Sequence, residues 1–206
     1  MPNNVEVPLL PREPALLIVL SGPSGAGKDS ICDVLRGWYP MMHKVVTATT
    51  RPVRPGEENG KDYHFISSPD FQTLLETGGF VEHATVYEYS YGVPRIEIED
   101  PLAFGRDVIV RVDVQGAATL KGLFPEAVLI FITPGSVDET ARRMRNRDLD
   151  TEAQQLHRTE IASSELEAAK DFDFIVTNET GKLDEAASEV ARIIAAEKRR
   201  RAPRTD

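Results

Sequence analysis

Cysteine is nearly absent: the chain of 206 residues has one, Cys32. A single thiol excludes an internal disulfide framework and a Cys-rich metal site, and the scarcity fits a reducing, intracellular setting. Basic charge is also in deficit. Lysine and arginine number 24 against 33 aspartates and glutamates, a formal charge of −9, which disfavours broad, non-specific binding to a nucleic-acid polymer. An anionic ligand would need a local cluster of positive side chains instead. No apolar run approaches the ~20 residues of a membrane span. The opening MPNNVEVPLLPREP has prolines and acids where a signal peptide needs a basic end and an apolar stretch. We therefore expect a cytoplasmic protein without a membrane partner. Residues 1–13 are expected to form a loose leader and the closing RRRAPRTD to fray, its arginines a solvated helix end suited to the macrodipole. No repeat or low-complexity block is present.

What the chain does have is a rhythm. ALLIVLS (15–21), DVIVRVDV (107–114), AVLIFIT (127–133) and FDFIVTN (172–178) are short apolar runs of the kind buried on both faces of a parallel sheet. Each leads into a segment with helical spacing: SICDVLRGWY, QGAATLKGLF, SVDETARRMRNR and KLDEAASEVARIIAAEKRRR. Alternating strands and helices imply an α/β fold with a parallel sheet flanked by helices. Between about residues 50 and 95 the pattern changes to Pro, Gly, charge and short exposed strands, as in YHFIS and FVEHATVYEYSYG. We expect an inserted small lobe at 51–94 within a core of 14–50 and 95–201, and a lid at about 145–155.

Between the first strand and its helix lies SGPSGAGKDSI (21–31), in which Gly22, Gly27 and Lys28 have the spacing of a phosphate-binding loop. Glycines let consecutive backbone N–H groups converge on an anion, and the following helix aims its positive end there. The candidate donor-nucleotide residues are Gly22, Pro23, Ser24, Gly25, Ala26, Gly27, Lys28, Asp29 and Ser30. The pattern asks for Ser or Thr after the lysine, because that hydroxyl normally meets the magnesium of a bound nucleotide. Asp29 stands there instead. It can favour the helix terminus, ligate Mg²⁺ itself or through water, or leave that task to Ser30; the sequence leaves all three open.

A second cluster follows. TATTRPVRPGEENGKDYHF (47–65) offers Arg51, Arg54 and Tyr63, two forked cations and a phenol suited to a phosphate monoester. Glu82, Tyr91 and Asp113 come later. Carboxylates can accept from the N1–H and N2–H₂ edge of guanine. Asp113 lies where open α/β sheets bind ligands, at the C-terminal end of a buried strand.

Taken together, GPSGAGK, TTRPVRPGEENGKDYHF, FVEHA, YSYG and DVQGA resemble guanylate kinase in order and spacing, from about Ala15 to Lys198. The resemblance implies a P-loop core, a GMP-binding lobe and a lid, with phosphoryl transfer from ATP, accompanied by Mg²⁺, to GMP or dGMP. By position it implies that Arg51, Arg54, Tyr63 and Tyr91 bind the GMP phosphate, and that Glu82 and Asp113 read guanine, with Thr47 also facing the base. It implies that Arg143, Arg147 and Arg158 close on the phosphates beside Lys28, and that Asn178 lies by the adenine. The metal would be held by Asp29 or Ser30. Three positions depart from the family pattern: Val93 replaces a usual Ser or Thr, Arg111 stands where an acid is frequent, and Asp29 replaces the hydroxyl. The Gly-Lys-Asp-Ser loop is also similar to that of ribose 1,5-bisphosphokinases, which have no base to read. A third reading is an inactive guanylate-kinase-like interaction module.

Overall fold

The computed structural model describes residues 5–86, 88–134 and 169–202. A five-stranded, wholly parallel sheet contains β1 (Leu17–Ser21), β2 (His43–Lys44), β7 (Val108–Arg111), β8 (Val128–Thr133) and β9 (Phe174–Thr177), in the order β2-β7-β1-β8-β9. All four apolar runs of the sequence are strands of this sheet. The edge strand β2 has only two residues and left no hydrophobic signature.

Alternation along β1 divides the core. Ile18 and Leu20 point to a cluster with Ile31 and Leu35 of α1 (Lys28–Trp38) and Val190, Ala191 and Ile194 of α5 (Leu183–Arg201). Leu17 and Val19 face the other way, onto Ala117 and Leu120 of α4 (Val114–Leu123) and Ile98 of α3 (Ile96–Ala103). A strand covered on both sides has no polar face, which is why these runs are continuously apolar.

The inserted region builds a second sheet of β4 (His64–Phe65), β3 (Ala48–Thr49), β6 (Tyr89–Pro94) and β5 (Phe80–Val86), in that order. It also carries α2 (Ser68–Glu76), a helix the exposed-strand reading of 50–95 did not anticipate. The local signal was present: Ser67 caps the helix, accepting from the Asp70 amide, and Pro69 occupies the first turn. Glu97 of α3 ties the two sheets together. Its carboxylate meets His43 of β2 at 2.7 Å, His64 of β4 at 3.0 Å and the Val46 amide at 3.1 Å. Burial alone would raise its pKa, but those hydrogen bonds outweigh burial and hold it at about 2.

Within the expected loose leader, Glu6, Pro8 and Leu10 make contacts with the core. Tyr39 donates to the Pro8 carbonyl at 2.5 Å, Ser188 to the Glu6 carbonyl at 2.7 Å, and Leu10 packs on the core. The closing arginines are likewise engaged, Arg200 and Arg201 both binding Glu197. The helix expected from SVDETARRMRNR and the lid at about 145–155 lie outside the described residues.

One buried ion pair joins the last helix to the sheet. Lys198 Nζ donates to both carboxylate oxygens of Asp107, at 2.6 and 2.7 Å, and Asp107 Oδ1 also accepts from the Leu16 amide at 2.9 Å. The lysine side chain is 1% exposed. Removing one partner of such a pair strands the other charge, so Lys198→Ala is expected to lower unfolding free energy by about 3–5 kcal/mol. Urea denaturation followed by circular dichroism measures this; a loss below about 1 kcal/mol, the scale of exposed pairs, would refute it.

Candidate active site

The loop after β1 is shaped by two contacts that leave no room for side chains. Gly22 has φ +131°, and a Cβ there would lie 2.0 Å from the Ile132 carbonyl oxygen of β8. Gly27, with φ +89°, precedes α1, and its Cβ would lie 2.2 Å from Asn178 Nδ2. Pro23 and Ala26 are buried, joined by an Ala26 N–H to Pro23 carbonyl turn of 3.1 Å; Ser24 is exposed and Gly25 half-buried. Asn178 is buried beneath the loop and donates to the Ala26 carbonyl at 2.8 Å, a bracing contact the adenine assignment did not foresee. Lys28 Nζ arches back to the Gly22 and Pro23 carbonyls, the latter at 3.1 Å. Gly27, the residue ahead of α1, has no side chain to cap it. The arrangement brings the loop, the start of a helix and a lysine together, which suits a polyphosphate.

The lobe presents its residues differently from a simple open clamp. Arg51 is buried and its fork is occupied: Nη1 and Nη2 donate to Glu57 at 2.9 and 2.8 Å, and Nη1 also to the Pro52 carbonyl at 2.8 Å. That hydrogen-bonded pairing, with the Arg54 amide donating to Glu57 at 2.8 Å, holds the Glu57 carboxyl at about 2. Arg54 itself is exposed. The Tyr63 ring lies 5.2 Å from the Arg51 guanidinium and 6.0 Å from the Tyr91 ring, so three of the four expected phosphate ligands are neighbours. Thr47 is half-buried at the entrance to β3, its carbonyl accepting the His64 amide at 3.0 Å.

The two expected base readers converge on Gly116. Asp113 caps α4, accepting the Gly116 amide at 2.8 Å, so this acid has a structural task as well. The Glu82 carboxyl carbon, from β5, would lie 3.3 Å from a Cβ on Gly116. Burial, and then the neighbouring Asp113, raises the Glu82 pKa to about 7. Because its folded pKa exceeds the unfolded value, this group's contribution to stability is complete below about 4.5 and lost as pH rises through about 7. Val93 packs into the core with Val81 and Ile98 at 1% exposure, so the side chain that replaces the usual hydroxyl fills apolar space.

Asp29 is not left open for a metal. Its Oδ1 pairs with Nε of Arg111, which sits at the end of β7. The Asp29 side chain is 61% exposed, and a divalent cation there would compete with the guanidinium for the carboxylate. Among the described residues no group of three or more His, Cys, Asp or Glu could hold a metal ion. Ser30, exposed in the first turn of α1, is the remaining hydroxyl of the expected pair. Arg111 also reaches across to the lobe, with Nη2 3.4 Å from the Tyr63 hydroxyl. Sequence reasoning noticed Asp29 and Arg111 separately and missed that they are partners; it also missed Glu57. Arg143, Arg147 and Arg158 lie outside the described residues.

The Glu82 environment has a direct check. Carboxyl-carbon NMR is expected to show Glu82 titrating near pH 7, and Asp113→Asn to lower its midpoint while leaving it above an ordinary glutamate, since burial is the larger cause. A midpoint near 4.5 in the unsubstituted protein would overturn this reading.

Comparison with known proteins supplies an independent line. The family model described as Guanylate kinase matches residues 15–197. A protein of Oryza sativa subsp. japonica named guanylate kinase 2, chloroplastic/mitochondrial, is 41% identical over 192 residues, covering 93% of this chain and 67% of the relative. The guanylate kinase of Clostridioides difficile is 40% identical over 183 residues, 89% of this chain and 88% of the relative. The crystal structure of guanylate kinase from Anaplasma phagocytophilum superposes with a TM-score of 0.70 at 31% identity, covering 89% of this chain and 86% of that one. The parallel sheet, the loop ahead of α1 and a sequence match running nearly end to end agree: this chain belongs to the guanylate kinase family.

Proposed function

We propose that the protein is an ATP:GMP phosphotransferase, a nucleoside monophosphate kinase that converts GMP or dGMP and ATP to the diphosphate and ADP. One observation carries the reading. The helix start of the phosphate loop is joined through Asp29 and Arg111 to Tyr63 of the lobe, and two residues beyond Arg111 the carboxylate of Asp113 converges with Glu82 on Gly116. In this reading the core of 14–50 and 95–201 holds ATP and the lobe of 51–94 holds GMP. The loop amides and Lys28 would bind the donor phosphates, and Asn178 would keep the loop in register. Arg51, Arg54, Tyr63 and Tyr91 would receive the acceptor phosphate, and Thr47, Glu82 and Asp113 the base. Arg143, Arg147 and Arg158 would complete the positive surround.

The acceptor oxygen belongs to a phosphate whose second pKa is ~6, so it is largely ionised at neutral pH and needs no dedicated base. What the chain must supply is alignment and offsetting of charge, through Lys28 and the loop amides. The Ser30 hydroxyl, in the first turn of α1, would be a donor to the Mg²⁺ that accompanies ATP, and the ion would supply further offsetting of phosphate charge. Cys32, the chain's one cysteine, is a buried free thiol, and so sparse a use of cysteine is compatible with a reducing, cytoplasmic setting. The pairing of Asp29 with Arg111 accounts for the unusual loop residue without a sugar phosphate substrate, and the lysine-bearing loop favours an enzyme over an inactive module.

The reading predicts ADP release in a coupled assay with GMP and none with ribose 1,5-bisphosphate; the reverse result would identify the other kinase. Lys28→Ala is expected to cut turnover by about 10²–10³-fold or more while GMP binding persists, measured by calorimetry. Near-normal turnover in that variant would remove Lys28 from the mechanism. Guanine donors favour ionised Glu82, so binding expels a proton and GMP affinity is expected to rise with pH through about 7. The GMP phosphate titrates at ~6 as well, and the Glu82→Gln variant isolates its contribution. An identical pH profile in that variant would exclude Glu82.

A further inference from the structure

Two departures from the family pattern meet in one contact. Asp29 opens the first turn of α1 and Arg111 ends β7, opposite Leu20 of β1 in the sheet register. Asp29 meets the guanidinium at Nε. On the lobe side Nη2 is 3.4 Å from the Tyr63 hydroxyl and the guanidinium carbon is 5.7 Å from the Tyr63 ring. The Arg111 side chain is 27% exposed.

Arg51 is committed differently. Both guanidinium groups flank Tyr63, at 5.2 and 5.7 Å. Arg51 spends its fork on Glu57 and the Pro52 carbonyl, whereas the contacts of Arg111 are Asp29 at Nε and a long 3.4 Å approach of Nη2 to the Tyr63 hydroxyl. A phosphate monoester beside Tyr63 would lie next to this guanidinium, a group whose planar donors can bind phosphate oxygens in pairs.

We propose that Arg111 is an acceptor-phosphate ligand, held between the phosphate loop and Tyr63 by Asp29, so that the two unusual residues act as one unit. The ligand class is the phosphate of a nucleoside monophosphate. Asp29 is a positioning residue: it fixes the guanidinium without touching substrate. The assignment rests on the GMP-kinase reading above.

Calorimetry on the full chain, without ATP or magnesium, tests it with two probes, GMP and guanosine. Arg111→Met is expected to weaken GMP binding about ten- to hundredfold, the range for a charged hydrogen-bond partner, and to leave guanosine binding unchanged. Arg111→Lys keeps the charge without the fork and is expected to fall between; if Arg111→Met does not fold by circular dichroism, this variant decides alone. Asp29→Asn is expected to weaken GMP binding in the parent chain and to have no further effect beside Arg111→Met, the non-additivity of a shared contact. Unchanged GMP affinity, or equal losses for GMP and guanosine, would overturn the role of Arg111. Additive effects of the two substitutions would overturn the role of Asp29. Failure of the unsubstituted protein to bind either probe would instead overturn the GMP reading, and this assignment with it.

Discussion

The passage of the loop against β8 is the constraint on which the rest depends. Gly22 leaves β1 with its Cα pressed toward the Ile132 carbonyl, a gap that only hydrogen can fill. That approach sets where the chain turns, and the turn sets the start of α1. From there the positions of Lys28, Asp29 and Ser30 follow as consecutive residues of one helical turn. Asn178 closes the loop from below through the Ala26 carbonyl, so two strands on the same side of β1 grip it. Nucleotide chemistry here begins as a packing problem between backbones.

Around Tyr63 the molecule balances charge in pairs. Arg51 is matched by Glu57 and Arg111 by Asp29, each pair lying beside the same ring. An incoming phosphate dianion therefore competes with Glu57 for the Arg51 donors, and meets in Arg111 a charge already partly offset by Asp29. Some attraction is given up, and the cations are held in fixed orientation in exchange. Glu82 and Asp113 show the opposite condition: two acids are brought near Gly116, and burial first, then the neighbouring acid, raises the Glu82 pKa to about 7. Like charges are close where a base with donor groups is to be read, and opposite charges are close where a phosphate is to be received.

The sheet was legible because its strands are covered on both faces, and burial of that kind demands continuous apolar runs such as Val128–Thr133. The two-residue strands at His43, Ala48 and His64 have no period to detect; they exist through pairing, His43 with β7, Ala48 with β6, and His64 with the Ala48 strand in turn. Helix α3 was hidden by Pro101 and a run of acids, although Ile98 packs it firmly on the core. In the site, spacing revealed the loop, and the resemblance supplied the guanine readers. Partnerships between side chains distant in sequence stayed invisible: nothing in the letters joins Asp29 to Arg111, or sets Glu97 between two histidines from different sheets. Those contacts are made by topology.

The Asp107–Lys198 pair has a consequence for how the molecule comes into being. β1 lies between β7 and β8, and the start of β7 is locked to β1 and to the last helix through one carboxylate. During synthesis from the N-terminus, residues 21–31 emerge long before any of those partners. A nascent chain thus carries the letters of the phosphate loop without a strand to press it against. The loop takes its shape only once Ile132 and Asn178 are in place, and a chain cut short of Lys198 leaves Asp107 without its counter-charge.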